Sequence, residues 1–221
     1  MKNLYLDFDG TIADSSNRLY GVYKSIMAEF QRPYLSKDEY WSLKRERQPY
    51  SVILEKTGSG ELASEYMKRF LKKVESPDFL KLDQLLEGAR QSLSLLKKDN
   101  RLVLVTLRRS RENLYQELKH LKIFNLFDDI FDNFIEGVNS WEIVADSVRN
   151  DPKFNKGNSV IIGDTEDAIL SARNLEIPSF VVLSGIRSEL FLKRYEPDCI
   201  IRDINQLPEY LAAEKIRELS I

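Results

Sequence analysis

Short apolar runs rich in β-branched residues recur along the chain, each closed by polar or turn residues: Leu4 to Phe8, Leu102 to Thr106, Ile130 to Ile135, Val160 to Ile162, Phe180 to Leu183 and Cys199 to Ile201. Runs of this length and type read as strands buried on both faces, as in parallel sheets. From about Glu87 they alternate with segments of helical spacing: Gly88 to Lys98, Arg111 to Leu121, Trp141 to Arg149, Asp167 to Leu175, Ser188 to Tyr195 and Leu207 to Leu219. The alternation predicts an α/β fold with a doubly wound, Rossmann-like parallel sheet. Between Ser15 and Leu86 the strand signal gives way to helical spacing, as in Leu19, Val22, Tyr23, Ile26, Met27 and Phe30 along one apolar face. Breaks fall at Gln31-Arg32-Pro33, Gln48-Pro49, Thr57-Gly58-Ser59-Gly60 and Ser76-Pro77. The predicted organisation is a sheet domain of residues 1–14 and 87–221, with an all-helical cap of residues 15–86 inserted after the first strand.

Composition narrows the chemistry. The 221 residues include one histidine, His120, and one cysteine, Cys199, too few soft ligands for a zinc finger or a disulfide framework. Any metal is expected to be hard and oxygen-bound. A histidine-based hydrolase would have to rest on His120, which lies in a charged, helix-like stretch. Lys plus Arg number 33 against 35 Asp plus Glu, so no broad field points to nucleic acid or a membrane surface as partner. No apolar run approaches the roughly 20 residues of a membrane span, and Asp7 and Asp9 interrupt the N-terminal run too early for a signal peptide. A cytoplasmic protein, monomer or homodimer, is expected.

The candidate chemistry lies at strand ends. Asp7-Phe8-Asp9-Gly10-Thr11 follows the first strand, and in an open α/β sheet ligands bind at the carboxyl ends of strands. Two carboxylates there either bind a cation or flank a turn, with Gly10 permitting a sharp backbone bend. A second buried strand, Val160-Ile161-Ile162-Gly163, runs into Asp164-Thr165-Glu166-Asp167; alone this reads equally as a helix cap. Together, two strand ends delivering acids to one edge describe a hard-cation site with room for phosphate oxygens. Thr106 closes a third strand at that edge; by itself it is an ordinary N-cap.

With these residues in view, the chain resembles the haloacid dehalogenase superfamily. Asp7-Phe8-Asp9-Gly10-Thr11, Thr106 and Gly163-Asp164 look like its first, second and fourth motifs, and the helical insert looks like its C1 cap, as in phosphoglycolate phosphatase-like members. The resemblance implies a phosphatase of a small phosphorylated metabolite that works through an aspartyl-phosphate. Asp7 would be the nucleophile, and Asp9 the acid and then the base. Mg2+ would be held by Asp7, the Asp9 backbone carbonyl and Asp164, with Asp167 a lesser candidate. Thr106 and the backbone at Gly10 and Thr11 would hold the phosphate.

The sequence departs from the family pattern at the third motif, a lysine. The corresponding stretch, Glu136-Gly137-Val138-Asn139-Ser140-Trp141-Glu142, holds no Lys or Arg. Arg108 and Arg109 are the nearest replacements, with solvated helix residues as the competing reading; Lys153 and Lys156 lie in a polar loop. In the cap, Lys44-Arg45-Glu46-Arg47 offers Arg45 for an anionic substrate group, against a solvated helix end. A phosphomutase using the same residues, or a weak or inactive phosphate-binding relative, stays open beside the phosphatase.

Overall fold

A computed structural model of the chain describes residues Met1–Glu218; Leu219, the expected end of the last helix, lies outside the described residues. The chain opens with β1 (Asn3–Leu6) and a two-residue strand β2 (Ala13–Asp14), then runs through α1 (Ser16–Glu29), α2 (Lys37–Arg45), α3 (Tyr50–Glu55), α4 (Ala63–Lys73) and α5 (Pro77–Leu80). After β3 (Gln84–Leu85) come α6 (Ala89–Asp99), β4 (Arg101–Val105), α7 (Arg111–His120), β5 (Asp129–Phe131) and α8 (Ser140–Arg149). They are followed by β6 (Ser159–Gly163), α9 (Glu166–Leu175), β7 (Ser179–Val182), α10 (Glu189–Lys193), β8 (Cys199–Ile201) and α11 (Leu207–Glu218).

Six strands form one sheet in the order β5-β4-β1-β6-β7-β8, every pair parallel. The period of two sends alternate residues to opposite faces. Leu4, Leu6, Leu102, Leu104, Val160 and Ile162 pack on one side with Leu93, Leu96 and Leu118. Tyr5, Val103, Val105 and Ile161 pack on the other with Ala145, Val148 and Ala172. The sheet is thus covered by helices on both faces, which is why its strands are apolar beyond the polar residues that begin them, such as Asn3, Arg101, Ser159 and Ser179.

The helices between β2 and β3 carry a separate core. Val22, Tyr23, Ile26 and Met27 of α1 meet Tyr40, Ile53, Leu54, Tyr66 and Phe70, and the Tyr23 and Tyr40 rings stack 4.6 Å apart. The helix ends coincide with the breaks in the sequence: Gln31 and Arg47 adopt positive φ just beyond α1 and α2, and Pro77 opens α5. The β2–β3 ribbon was not anticipated. It is antiparallel, pairs Ala13 with Leu85 and Asp14 with Gln84, and joins the two places where the chain crosses between sheet and helices.

The expected strand Ile130 to Ile135 ends early, at Phe131. β5 is an edge strand whose last rung is Thr106 N–H donating to the Phe131 carbonyl, and beyond it Asp132–Asn139 runs as an irregular loop that leaves Phe134, Ile135 and Val138 exposed.

Candidate active site

β1 lies at the centre of the sheet, with β4 and β6 on either side. Leu6 pairs with both Leu104 and Ile162, so the residues just beyond these rungs, Asp7, Thr106 and Asp164, emerge together along the carboxyl edge. This is the crevice where strand order reverses and ligands bind in such sheets. The Asp7 N–H still donates to the Ile162 carbonyl at 2.9 Å; the Phe8 N–H then turns onto Asp7 Oδ1 at 2.8 Å, ending the strand.

A cavity of about 280 Å3 opens above this edge. Its wall includes Asp7, Asp9, Thr106, Asp164 and Asp167 from the sheet side, with Arg18, Leu19, Val74 and Glu75 from the helices. Behind Asp7 a smaller space of about 60 Å3 is lined by Asp7, Asp167, Thr165, Leu107 and Val144. Among the described residues no lysine lines either cavity, so the loop that replaces the third motif supplies no ammonium group here.

The Asp7 side is acidic, and although Arg187 acts on Asp164 and Asp167 from a distance, burial prevails at all three carboxyls. Burial, followed by the charges of Asp164, Asp9 and Asp167, holds the Asp7 carboxyl well above the usual carboxylate range. Burial likewise pushes Asp164 up to about 6, and Asp167 is raised by burial and the Glu166 charge. Asp164 is held against backbone: Oδ2 accepts from Ile186 N–H at 2.6 Å, and a Cβ on Gly10 or Gly185 would overlap its carboxylate. The two glycines therefore form a cradle that sets Asp164 beside the Asp9–Gly10 backbone. No group of three His, Cys, Asp or Glu side chains among the described residues is close enough to hold an ion unaided. Two buried carboxylates short of positive charge, with a backbone carbonyl between them in sequence, do fit a hard cation that keeps part of its water shell.

Asp9 has the opposite surroundings. Arg108 Nε and Nη2 donate to its two oxygens at 2.7 and 2.9 Å, and Arg18 Nη2 donates to Oδ1. Burial raises the Asp9 carboxyl, but Arg108 and Arg18 outweigh it and hold the group below its ordinary value. Asp83 bridges the same two arginines, at 3.1 Å from Arg18 Nε and 3.2 Å from Arg108 Nη2, and Glu117 lies 3.3 Å from Arg108 Nη2. Burial pushes Asp83 up to about 6 and Glu117 up to about 8.

Some expected contacts give way to others. The Gly10 N–H donates to the Ala13 carbonyl at 2.7 Å and the Thr11 N–H to the Phe8 carbonyl at 3.3 Å; Thr11 is fully buried, and neither residue lines the cavity. Their amides close the turn after β1 instead of facing a ligand. Arg108 is neither solvated nor free for an anion, because three carboxylates surround its guanidinium. Arg45 Nη1 donates to the Gly185 carbonyl at 2.9 Å, so it straps α2 to the loop after β7. Arg47 and Arg187 both pair with Glu166, which is 1% exposed, at 2.8 and 2.7 Å.

Arg18, Asp83, Glu117 and Glu75 were not singled out from the sequence. Glu75 accepts from the Arg109 and Ser110 N–H groups at 3.0 Å and so ties the helical region to the start of α7. A signal for Arg18 did exist, since it stands four residues before Val22 and eight before Ile26, a charged residue in register with the buried face of α1.

The sequence profile of the family described as "Haloacid dehalogenase-like hydrolase" matches residues 4–182. A curated relative, pyrophosphatase PpaX from Halalkalibacterium halodurans, is 25% identical over 132 residues, 58% of this chain. The chain spans 60% of that relative's length. Among solved structures, a haloacid dehalogenase-like family hydrolase from Streptococcus pneumoniae superposes with a TM-score of 0.79 at 20% identity, covering 96% of this chain and 98% of the other. A structure described as a predicted phosphoglycolate phosphatase from Haemophilus somnus gives 0.76 at 15% identity, with coverage of 96% and 98%. At these identities the structural matches speak for the fold.

Proposed function

Because the chain belongs to the haloacid dehalogenase-like hydrolases, we propose that it is a Mg2+-dependent phosphatase that acts on a small phosphorylated metabolite through a phosphoryl group carried on Asp7. The observation that carries this reading is the convergence of Asp7, Thr106 and Asp164 on one sheet edge beneath a cavity of about 280 Å3, sized for a small molecule. The pyrophosphatase among the curated relatives agrees with phosphoryl chemistry.

Mg2+ would be held by the Asp7 and Asp164 carboxylates and the Asp9 backbone carbonyl, with Asp167, which lines the same cavity, a lesser candidate. When bound, the ion neutralises charge on nucleophile and phosphate. An Asp7 carboxylate oxygen attacks phosphorus, a new O–P bond forms, and the ester P–O bond breaks with its electron pair leaving on the alcohol oxygen. Thr106 holds phosphate oxygens in line. A water then attacks the aspartyl-phosphate, releasing phosphate and the Asp7 carboxylate. Asp9, paired with two guanidiniums, is ionised as it stands and is set to take the proton from that water; protonating a leaving group requires it to loosen from Arg108 and Arg18. The test is phosphate release from a panel of small phosphoesters with and without Mg2+. Mg2+-dependent turnover abolished by Asp7→Asn supports the reading, and no turnover of any phosphoester by folded protein refutes it.

One observation favours a second reading. With no lysine on the cavity walls and both arginines bound to carboxylates, a phosphate-binding relative of low activity would show the same geometry. It predicts stabilisation by inorganic phosphate without turnover.

A further inference from the structure

Asp9 is the residue on which the two regions of the molecule converge. Arg18 belongs to the first turn of α1, just after the chain leaves the sheet at β2; Asp83 stands just before β3, where it returns. Arg108 comes from the sheet side, in the loop after β4. Arg18 is anchored by its Nε to Asp83 and by Nη1 to the Val74 carbonyl, so its third nitrogen reaches Asp9 from a fixed helical frame. Arg108 grips the same carboxylate from below, with two nitrogens on two oxygens. The side chains of Arg18, Arg108 and Asp83 are each no more than 5% exposed. An exposed ion pair constrains little, whereas guanidiniums held at this burial fix the direction of what they bind.

We propose that Arg18, Arg108 and Asp83 are positioning residues for Asp9, which tie the placement of its carboxylate to the seating of the helical region on the sheet. Asp83 touches neither Asp9 nor the cavity; it sets the spacing of the two guanidiniums, and through them the direction of Asp9 over Asp7. Displacement of α1 from the sheet would remove Arg18 from this carboxylate and leave Arg108 alone on it. The inference rests on the phosphatase reading for what Asp9 does, while the geometry of the cluster is independent of that reading.

The experiment is a double-mutant cycle on the full chain with Mg2+ and p-nitrophenyl phosphate, whose leaving group departs without a proton, so that kcat reports the water step in which Asp9 is the base; Asp9→Asn is expected to keep only a slow residual turnover, followed over long incubation. Thermal unfolding checks that each variant folds. Asp83→Asn, nearly isosteric, is expected to lower kcat about tenfold with KM within about twofold. In the Asp9→Asn background the same change is expected to have almost no further effect, because its route to the chemistry is gone. Arg18→Lys is expected to retain more activity than Arg18→Met. Wild-type kcat in folded Asp83→Asn, or an undiminished effect of that change on Asp9→Asn, overturns the proposal and leaves the phosphatase reading standing. Absence of turnover by the wild type on any phosphoester overturns both. Should Arg18→Met fail to fold, the Asp83→Asn cycle decides alone.

Discussion

Asp7 and Asp9 are two residues apart and have opposite electrostatic surroundings. Around Asp7 the nearby charges are those of Asp164, Asp9 and Asp167, and the carboxyl is driven toward its protonated form. Around Asp9 the guanidiniums of Arg18 and Arg108 prevail, and the carboxylate stays ionised. The Asp9 half neutralises itself with residues of the chain. The Asp7 half does not, and in the proposed function the charge it lacks is supplied by a bound cation. The contrast explains why the basic residues nearest the crevice do not replace a motif-three lysine: they are bound by Asp9, Asp83 and Glu117.

The comparison is broken most forcefully at Asp7. Asp7→Asn is expected to lower phosphate release by about 10³-fold or more, since the attacking oxygen is lost. Steady-state release from the best substrate of the panel measures it. Next comes Asp164→Asn, which removes one of the two carboxylates proposed for the ion; activity at saturating Mg2+ is expected to fall by about 10²-fold. Its Mg2+ requirement should rise in a titration of rate against metal concentration.

The Asp9 half gives a smaller effect, read as stability. Glu117 titrates near 8 in the folded protein against an ordinary 4.5, so the folded state binds its proton more tightly than the unfolded state. Stability contributed by this group is present below pH 4.5 and is lost as pH rises from about 4.5 to about 8. Glu117→Gln should therefore flatten the decline of melting temperature across that window. A slope equal to that of the wild type would show that Glu117 does not hold its proton. Smallest is the Arg47–Glu166 pair. Arg47 is 54% exposed, and Arg187 still pairs with Glu166 without it, so Arg47→Ala should lower stability by under about 1 kcal/mol in chemical unfolding.

The two halves also differed in how readable they were. Asp7, Thr106 and Asp164 could be found because each follows a continuous apolar run, and a buried parallel strand has no other way to be written. The same periodicity located the helices from Ala89 onward to within a residue or two at most ends. The β2–β3 ribbon has two residues per strand, too few for any period. The arginine cluster was hidden for a different reason. Arg18, Asp83, Arg108 and Glu117 are far apart in sequence, and each by itself resembles a surface residue; only the fold makes them neighbours. Arg18, in register with the apolar face of α1, carried the one local hint. The Arg45 and Arg47 segment suggested anion recognition by residue type, but the fold brings carbonyls and Glu166 to those guanidiniums.

The central claim is that the Asp7 half lacks a cation and the Asp9 half does not. A calorimetric titration of the intact protein with Mg2+ alone at pH 7.5, repeated at pH 5.5, tests it most directly. The account predicts binding of Mg2+ at pH 7.5 that weakens at pH 5.5, as protons compete for Asp7 and for Asp164, whose carboxyl titrates near 6. Binding should be markedly weakened in Asp164→Asn and kept in Arg18→Lys. Failure of the wild type to bind Mg2+, or binding indifferent to both pH and Asp164, would contradict it.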